Sequence, residues 1–357
     1  MSNILLFTNN VAETIEDWVK RTHPSDVFVH VDVNTAKFVL PILESQSETV
    51  RKAHKIVSKD GDVNKNLDAL NNVWQNLSNN NATRSALFIN LGGGVVSDLG
   101  GFAAATFKRG MSILNIPTTL LSAVDASVGG KTGINYNGLK NQIGAFYDAE
   151  AVIISTCFFQ TLPQFEMLSG YAEMIKHALL KGQSTLNDVL NYNVTLPSVN
   201  PDALMNLLKE SVLVKKEYVE QDPTEKGLRK ALNLGHTIAH ALETFAMNDR
   251  KNQISHGFAV AQGLVVETIL SNMLCKFDSN TLHKLATYIK DNYGPYDIEC
   301  KDYPKLIEYM LQDKKNDKAD HIIFTLLTEP GKPEINVAVK ENDICAALDI
   351  YRDLMGI

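Results

Sequence analysis

The chain has 357 residues, 45 % hydrophobic and 21 % charged, an ordinary globular balance in a length that suggests two domains. Its formal net charge of −7, from 41 acidic and 34 basic residues, argues against a protein whose main task is gripping nucleic acid. Cys157, Cys275, Cys300 and Cys345 stand far apart with no Cys-x-x-Cys pair, which speaks against a disulfide framework and a thiolate zinc site.

The opening MSNILLFTNN lacks a basic segment followed by a long apolar stretch, and no uninterrupted apolar run of bilayer-spanning length stands out. A cytoplasmic protein without membrane contacts is the expectation. Asn3–Phe7 and Val27–Val31 read as buried strands, and between them Val11, Ile15, Trp18 and Val19 space a helix over Val11–Thr22. Asn79–Asn81, preceded by Ser78, reads as a loop. Ala86–Asn90 is another apolar strand, ending abruptly in glycines, and Ser112–Ile116 and Ala151–Ile154 add two more. Strands separated by helices predict a mainly parallel, layered domain.

After Thr161-Leu162-Pro163 helical periodicity dominates, over Gly170–Lys181, Pro201–Gln221, Lys230–Met247 and His256–Phe277. Two strand-like runs, Ile322–Leu327 and Ile335–Val339, and a helix from Asp343 close the chain. The expected fold class is therefore α/β: a Rossmann-like nucleotide-binding domain over 1–163, then a mainly α-helical domain over 164–357.

Asn90-Leu91-Gly92-Gly93-Gly94-Val95-Val96-Ser97-Asp98 follows a strand and opens a helix. Glycines let backbone approach a ligand, and the first turn of the helix offers free N–H donors to a pyrophosphate. The fingerprint is incomplete, because Ser97 stands where G-x-G-x-x-G has its third glycine. A plain strand-to-helix turn fits the same residues. Val128-Gly129-Gly130-Lys131-Thr132-Gly133 invites comparison with a P-loop, but Asp125 occupies the place of that motif's first glycine. The P-loop is rejected, and Lys131 keeps a role as a point charge for an anion.

In Asn233-Leu234-Gly235-His236-Thr237-Ile238-Ala239-His240 the two histidines share a helical face. Ser255-His256-Gly257 starts another helix, and Tyr171-Ala172-Glu173-Met174-Ile175-Lys176-His177 puts Glu173 and Lys176 on one face. Two imidazoles and a carboxylate are a common ligand set for a catalytic divalent metal. Spacing alone does not choose which two histidines bind, and no His-Glu-x-x-His supports a zincin protease.

Together these segments resemble the 3-dehydroquinate synthase family. The similarity runs in order from about Asp60 to Lys315, through GGGVVSDLGGFAAATFKRG, IPTTLLSAVDASVGGKTGIN, LKNQIGAF, GYAEMIKHALL and GLRKALNLGHTIAHALE. It implies a metal, Zn²⁺ or Co²⁺, on Glu173, His236 and His256, leaving His240 facing substrate or supporting the ligands. It implies NAD contacts from Asp62 and Lys65, from Gly93, Gly94, Val95 and Asp98, from Thr118 and Thr119, and from Lys140 and Thr161, with Lys131 shared between cofactor and substrate. For a substrate phosphate it implies Lys131, Asn141, Asn233 and Lys315 or its neighbour Lys314, with Arg109 reaching across from a partner subunit in a homodimer. For a substrate carboxylate it implies Lys215 and Arg229, and around the reacting hydroxyls Asp125, Lys176 and His240.

The family converts a phosphorylated keto acid, 3-deoxy-D-arabino-heptulosonate 7-phosphate, into 3-dehydroquinate and phosphate, the second step of the shikimate pathway. A secondary alcohol is oxidised by NAD, phosphate is eliminated, the hydride is returned and the ring closes by an aldol step. Two positions depart from the family pattern: Asp62 stands where a glutamate is usual, and Phe258 replaces the acid that follows the last metal histidine and its glycine.

Overall fold

A computed structural model of the chain describes residues 4–137, 139–195, 197–312 and 321–357. The chain divides into two compact units, the first running to Met167 and taking in Thr195–Lys216, the second comprising Leu168–Val194 and Glu217–Ile357. The division expected from sequence, 1–163 and 164–357, differs in one substantial respect: 195–216 belongs with the first unit. Periodicity identifies Pro201–Gln221 as helical but does not say which core receives its apolar side.

The first unit is built from β1 (Ile4–Phe7), α1 (Val11–Thr22), β2 (Val27–Asp32), α2 (Val33–Phe38), α3 (Leu40–Gln46), α4 (Glu48–Lys52), β3 (His54–Ser58), α5 (Leu67–Asn79), β4 (Leu87–Gly92), α6 (Gly94–Thr106), β5 (Ser112–Pro117), β6 (Lys131–Tyr136), β7 (Leu139–Phe146) and β8 (Ala151–Ile154). Six of the strands form one sheet in the order β1-β8-β5-β4-β2-β3, with every pairing parallel. Side chains alternate across it. Leu87, Ile89 and Leu91 of β4 pack with Val11, Ile15 and Trp18 of α1 on one face, while Phe88 packs with residues of α5 and α6 on the other. The expected layered α/β domain is thus a sheet covered on both sides. Strands β6 and β7 form a separate antiparallel ribbon, which hydrophobic patterning did not reveal because β7 is almost wholly exposed.

A polar chain crosses the middle of this apolar sheet. His30 Nε2 lies 2.9 Å from Ser58 Oγ, His30 Nδ1 lies 3.3 Å from Asn90 Oδ1, and Asn90 Nδ2 donates to Asn115 Oδ1 at 2.9 Å. Burial holds the His30 imidazole neutral, with a pKa lowered to about 4. Helix α6 lies directly over the chain because Gly100 has no side chain. A Cβ there would stand 1.9 Å from Asn90 Oδ1 and 2.5 Å from His30 Nδ1.

The second unit contains α7 (Gln164–Lys181, whose first residues belong to the first unit), α8 (Gln183–Asn191), the end of α9 (Pro201–Gln221), α10 (His236–Asn248), α11 (His256–Cys275), α12 (Ser279–Tyr293), α13 (Tyr303–Leu311), an antiparallel hairpin of β9 (Ile322–Glu329) and β10 (Lys332–Val339), and α14 (Glu341–Met355). Helix α11 is apolar on all sides and long enough by composition to cross a bilayer, although Gln262, Glu267 and Asn272 interrupt its apolar run. Yet 72 % of that stretch is buried inside the protein, as befits a central core helix. The single helix expected over Lys230–Met247 is two elements. A 3₁₀ segment, Leu228–Asn233, ends before Gly235, whose φ of +81° breaks the helix, and α10 starts at His236.

Replacing Gly100 by alanine should force the polar chain or α6 to move. Overpacking of this kind costs about 2 kcal/mol, which for a unit the size of the first lowers its melting midpoint by roughly 4–8 °C in a thermal denaturation scan. A midpoint equal to that of the parent chain would show that α6 rides free of the His30–Asn90 pair.

Candidate active site

Glu173 sits mid-way along α7, wholly buried at 0 % exposure. Its Oε1 lies 3.4 Å from Nε2 of His236 and 3.4 Å from Nε2 of His256, and Lys176, one turn on, pairs with Oε2. The three candidate ligand atoms of Glu173, His236 and His256 lie within 4.8 Å of one another.

Both histidines open helices, and glycines explain how those helix starts come so close. A Cβ at Gly235 would stand 2.9 Å from Leu264 Cδ2, and a Cβ at Gly257 would stand 1.9 Å from the carbonyl oxygen of Ser169 on α7. The Gly257 amide instead donates to Ser169 Oγ at 3.2 Å, seating the first turn of α11 on α7 and His256 beside Glu173.

Each ring is oriented from behind. His236 Nδ1 faces the Leu234 carbonyl at 3.1 Å, and His256 Nδ1 faces Glu243 Oε2 at 3.4 Å. A proton on Nδ1 satisfies both acceptors and leaves each Nε2 to face Glu173, the arrangement of metal-binding imidazoles. His240, exposed one turn along α10, stands edge-on to His236 with ring centroids 5.6 Å apart. Phe258 is a packing residue, its ring 5.1 Å from that of Tyr293.

Electrostatics separates the two rings. Burial opposes the Glu173 charge, but Lys176 and the imidazoles override it and hold the carboxyl well below its usual range. Burial and the Lys176 charge lower His236 to about 4. Burial also disfavours the cation of His256, but Glu173 and Glu243 reverse that and raise it to about 10.

Nearby in sequence, the turn after α9 curls around Asp222. Its carboxylate accepts from the amides of Lys226 at 3.0 Å, Gly227 at 2.7 Å and Arg229 at 3.2 Å. Arg229 is buried, with Nη1 donating to the Pro223 carbonyl at 2.8 Å, and Asn233 Nδ2 donates to Glu225 Oε1 at 3.0 Å. Asp222, Glu225 and Glu243 escaped the sequence reading. Their carboxylates act through pairings that neither hydrophobic period nor histidine spacing reports.

In the first unit the centre is Lys65. Its buried ammonium donates to Asp98 Oδ2 at 2.7 Å and Asn141 Oδ1 at 2.8 Å, and lies 3.4 Å from Asp62 Oδ1. Burial opposes its charge, but Asp98 and Asp62 outweigh that and raise its pKa; burial raises that of Asp98 too. Asp62 Oδ2 also accepts from Asn135 Nδ2 at 3.0 Å and lies 3.9 Å from the Lys140 ammonium. Asn141, expected at a phosphate, is therefore grouped with residues expected at the cofactor.

None of Gly92, Gly93 and Gly94 has a positive φ. Their value is closeness: a Cβ would meet Val96 at Gly92, Thr119 at Gly93 and Ala126 at Gly94. Val95 and Asp98 lie half-buried on α6. Thr118 donates its amide to the Gly92 carbonyl at 3.0 Å, and Thr119 Oγ1 accepts from the Ser122 amide at 3.1 Å. A π-helical turn, Ser122–Ala126, carries Asp125, whose backbone carbonyl and carboxylate both accept from Lys215, the latter at 2.7 Å. Lys131 is exposed and begins a strand instead of a helix, in keeping with rejection of the P-loop. Arg109 is exposed on a left-handed turn, at φ +66° directly after Lys108 at +49°. Thr161 Oγ1 donates to the Phe158 carbonyl at 2.7 Å. Lys314 and Lys315 lie outside the described residues.

Residues 55–169 match the family model for the 3-dehydroquinate synthase N-terminal region, and residues 170–316 match that for the C-terminal region. The 3-dehydroquinate synthase of Parabacteroides distasonis is 42 % identical over 353 residues, covering 99 % of both chains. Among solved structures, 2-deoxy-scyllo-inosose synthase complexed with carbaglucose-6-phosphate, NAD⁺ and Co²⁺ superposes with a TM-score of 0.82 at 21 % identity, covering 98 % of this chain and 96 % of that one. A 2-epi-5-epi-valiolone synthase from Streptomyces hygroscopicus subsp. jinggangensis 5008, with NAD⁺ and Zn²⁺ bound, gives 0.83 at 21 % identity, with 99 % and 97 % covered.

The raised pKa of His256 carries a sign. In the metal-free chain the stability contributed by its proton is complete below the ordinary value of 6.5 and is lost as pH rises through about 10. A cation at this site displaces that proton, so its affinity runs the other way. Titrating the metal-free protein with Co²⁺ should show affinity rising about tenfold per pH unit between about pH 6.5 and 8.5. A flat profile would remove His256 from the ligand set.

Proposed function

The chain belongs to the 3-dehydroquinate synthase family, and we infer from that membership that it is a carbon–oxygen lyase converting 3-deoxy-D-arabino-heptulosonate 7-phosphate into 3-dehydroquinate and phosphate. The reading that follows assigns its cofactors, NAD and a divalent metal ion, to particular residues.

The observation that carries it is the Glu173 carboxylate. Both oxygens are out of contact with water and lack a well-aligned hydrogen bond, while two imidazole nitrogens converge on one of them. A buried carboxylate left in that state is costly unless a cation completes it. One carboxylate and two imidazoles suit Zn²⁺ or Co²⁺, with Glu173, His236 and His256 as ligands. Bound there, the metal would supply a Lewis acid that lowers the pKa of a substrate hydroxyl, and NAD would supply a reversible hydride acceptor, with no net oxidation.

The protein's own residues bind, orient and move protons. Asp62, Lys65, Gly93, Gly94, Val95, Asp98, Thr118, Thr119, Lys140 and Thr161 hold the dinucleotide, with the Lys65 ammonium fixed by Asp98. Lys131, Asn141 and Asn233 hold the substrate phosphate with Lys315, and Lys131 also touches the cofactor. Arg229 and Lys215 clamp the carboxylate; burial of both cations from water strengthens that attraction. Asp125 orients the Lys215 ammonium. Lys176 Nζ and His240 steer protons at the substrate hydroxyls. A cytoplasmic homodimer completes the reading, with Arg109 offered to the partner's phosphate site from an exposed turn and the four cysteines kept as free thiols.

Incubation of the protein with the heptulosonate phosphate, catalytic NAD and Zn²⁺ should release phosphate and 3-dehydroquinate together, without accumulating NADH, and a chelator should abolish both. Phosphate release only from a carboxylate-free sugar phosphate would assign the protein to a sister cyclase activity, and NADH accumulating from a polyol would make it a dehydrogenase. Arg229→Ala should raise KM for the heptulosonate phosphate on the order of 10- to 100-fold, the loss of one charge-assisted contact. An unchanged KM would remove Arg229 from the carboxylate clamp.

A further inference from the structure

Helix α10 begins at His236 after Gly235, a residue with no side chain to cap the first turn. The acceptor comes instead from α11. Glu267, wholly buried at 0 % exposure, accepts from the Gly235 amide through Oε2 at 2.6 Å and from the Thr237 and Ile238 amides through Oε1 at 3.0 and 3.3 Å. The helices meet backbone to backbone at this point, since a Cβ at Gly263 would stand 2.0 Å from the Gly235 carbonyl oxygen.

We infer that Glu267 is a positioning residue for the metal centre, holding His236 in register with His256 and offsetting the positive end of α10 where a cation is bound. The inference rests on the reading of Glu173, His236 and His256 as metal ligands.

Two arguments carry it. The first is geometric. Helix α11 presents His256 as its own first residue and, through Glu267, clamps the turn that presents His236. One rigid element thereby sets the separation of both imidazoles. The second is electrostatic. The start of a helix carries a partial positive charge, which disfavours a divalent ion held by the first helical residue. A carboxylate taking three amide hydrogens at that terminus cancels this field without touching the ion, and leaves the His236 ring free to turn Nε2 toward Glu173.

Glu267→Gln keeps the volume but removes the charge and turns one acceptor into a donor aimed at amide hydrogens. We expect Co²⁺ binding to the metal-free protein to weaken roughly 10- to 100-fold, as for other residues that orient metal ligands, with altered visible bands of bound Co²⁺ and unchanged NAD affinity. Glu267→Asp, should the glutamine variant not fold, keeps the charge but withdraws it; it should bind Co²⁺ more weakly than the parent chain. A variant with a lowered melting midpoint but parental Co²⁺ affinity and spectrum would overturn the inference, leaving Glu267 a structural cap. A parent chain that binds no Co²⁺ through imidazole would instead overturn the metal reading beneath it.

Discussion

A carboxylate buried in the middle of a helix is among the least favourable groups a protein can carry, and Glu173 dictates what must surround it. Lys176 supplies one compensating charge from the same helix, and two imidazoles from separate helices supply the rest. Their pKa values diverge because His236 faces the Lys176 charge, whereas His256 is backed by a second carboxylate, Glu243. The pocket around Glu173 is thus a set of mutually dependent charges in a low-dielectric interior. Removing any one leaves the others uncompensated.

Bringing three helices to that carboxylate requires backbones closer than side chains normally permit. Gly235, Gly257 and Gly263 each occupy a position where a Cβ would run into a neighbouring segment of the chain. The approach leaves helix starts without local caps, and buried acceptors from elsewhere fill that need: Ser169 at the start of α11 and Glu267 at the start of α10. Packing, capping and ligand orientation are therefore one problem here.

The first unit solves a different problem. Its parallel sheet is an apolar slab covered on both faces, yet His30, Asn90 and Asn115 run a fully paired polar chain through its centre. At the edge of that slab, Lys65 draws Asp62, Asp98 and Asn141 from separate segments onto one ammonium. A cation with that many acceptors is held in place by the fold itself, its ordering entropy already spent.

Much of this was legible along the chain. Continuous runs such as Ala86–Asn90 mark strands buried on both faces, and the spacing of Val11, Ile15 and Trp18 marks α1 with its observed ends. Ordered motifs such as GYAEMIKHALL and LNLGHTIAHALE identify the family, because residue types at fixed spacing record the chemistry they serve. Three things were decided only by tertiary structure. Segment 195–216 joins the first unit, the imidazoles of His236 and His256 converge on Oε1 of Glu173 where histidine spacing alone left the pair open, and Asn141 joins Lys65. Glu243 and Glu267 were silent for the same reason. Periodicity and motif spacing act between near neighbours in the chain, whereas a ligand set or a trans cap is set by distances between segments far apart in sequence, which only the packed chain brings together.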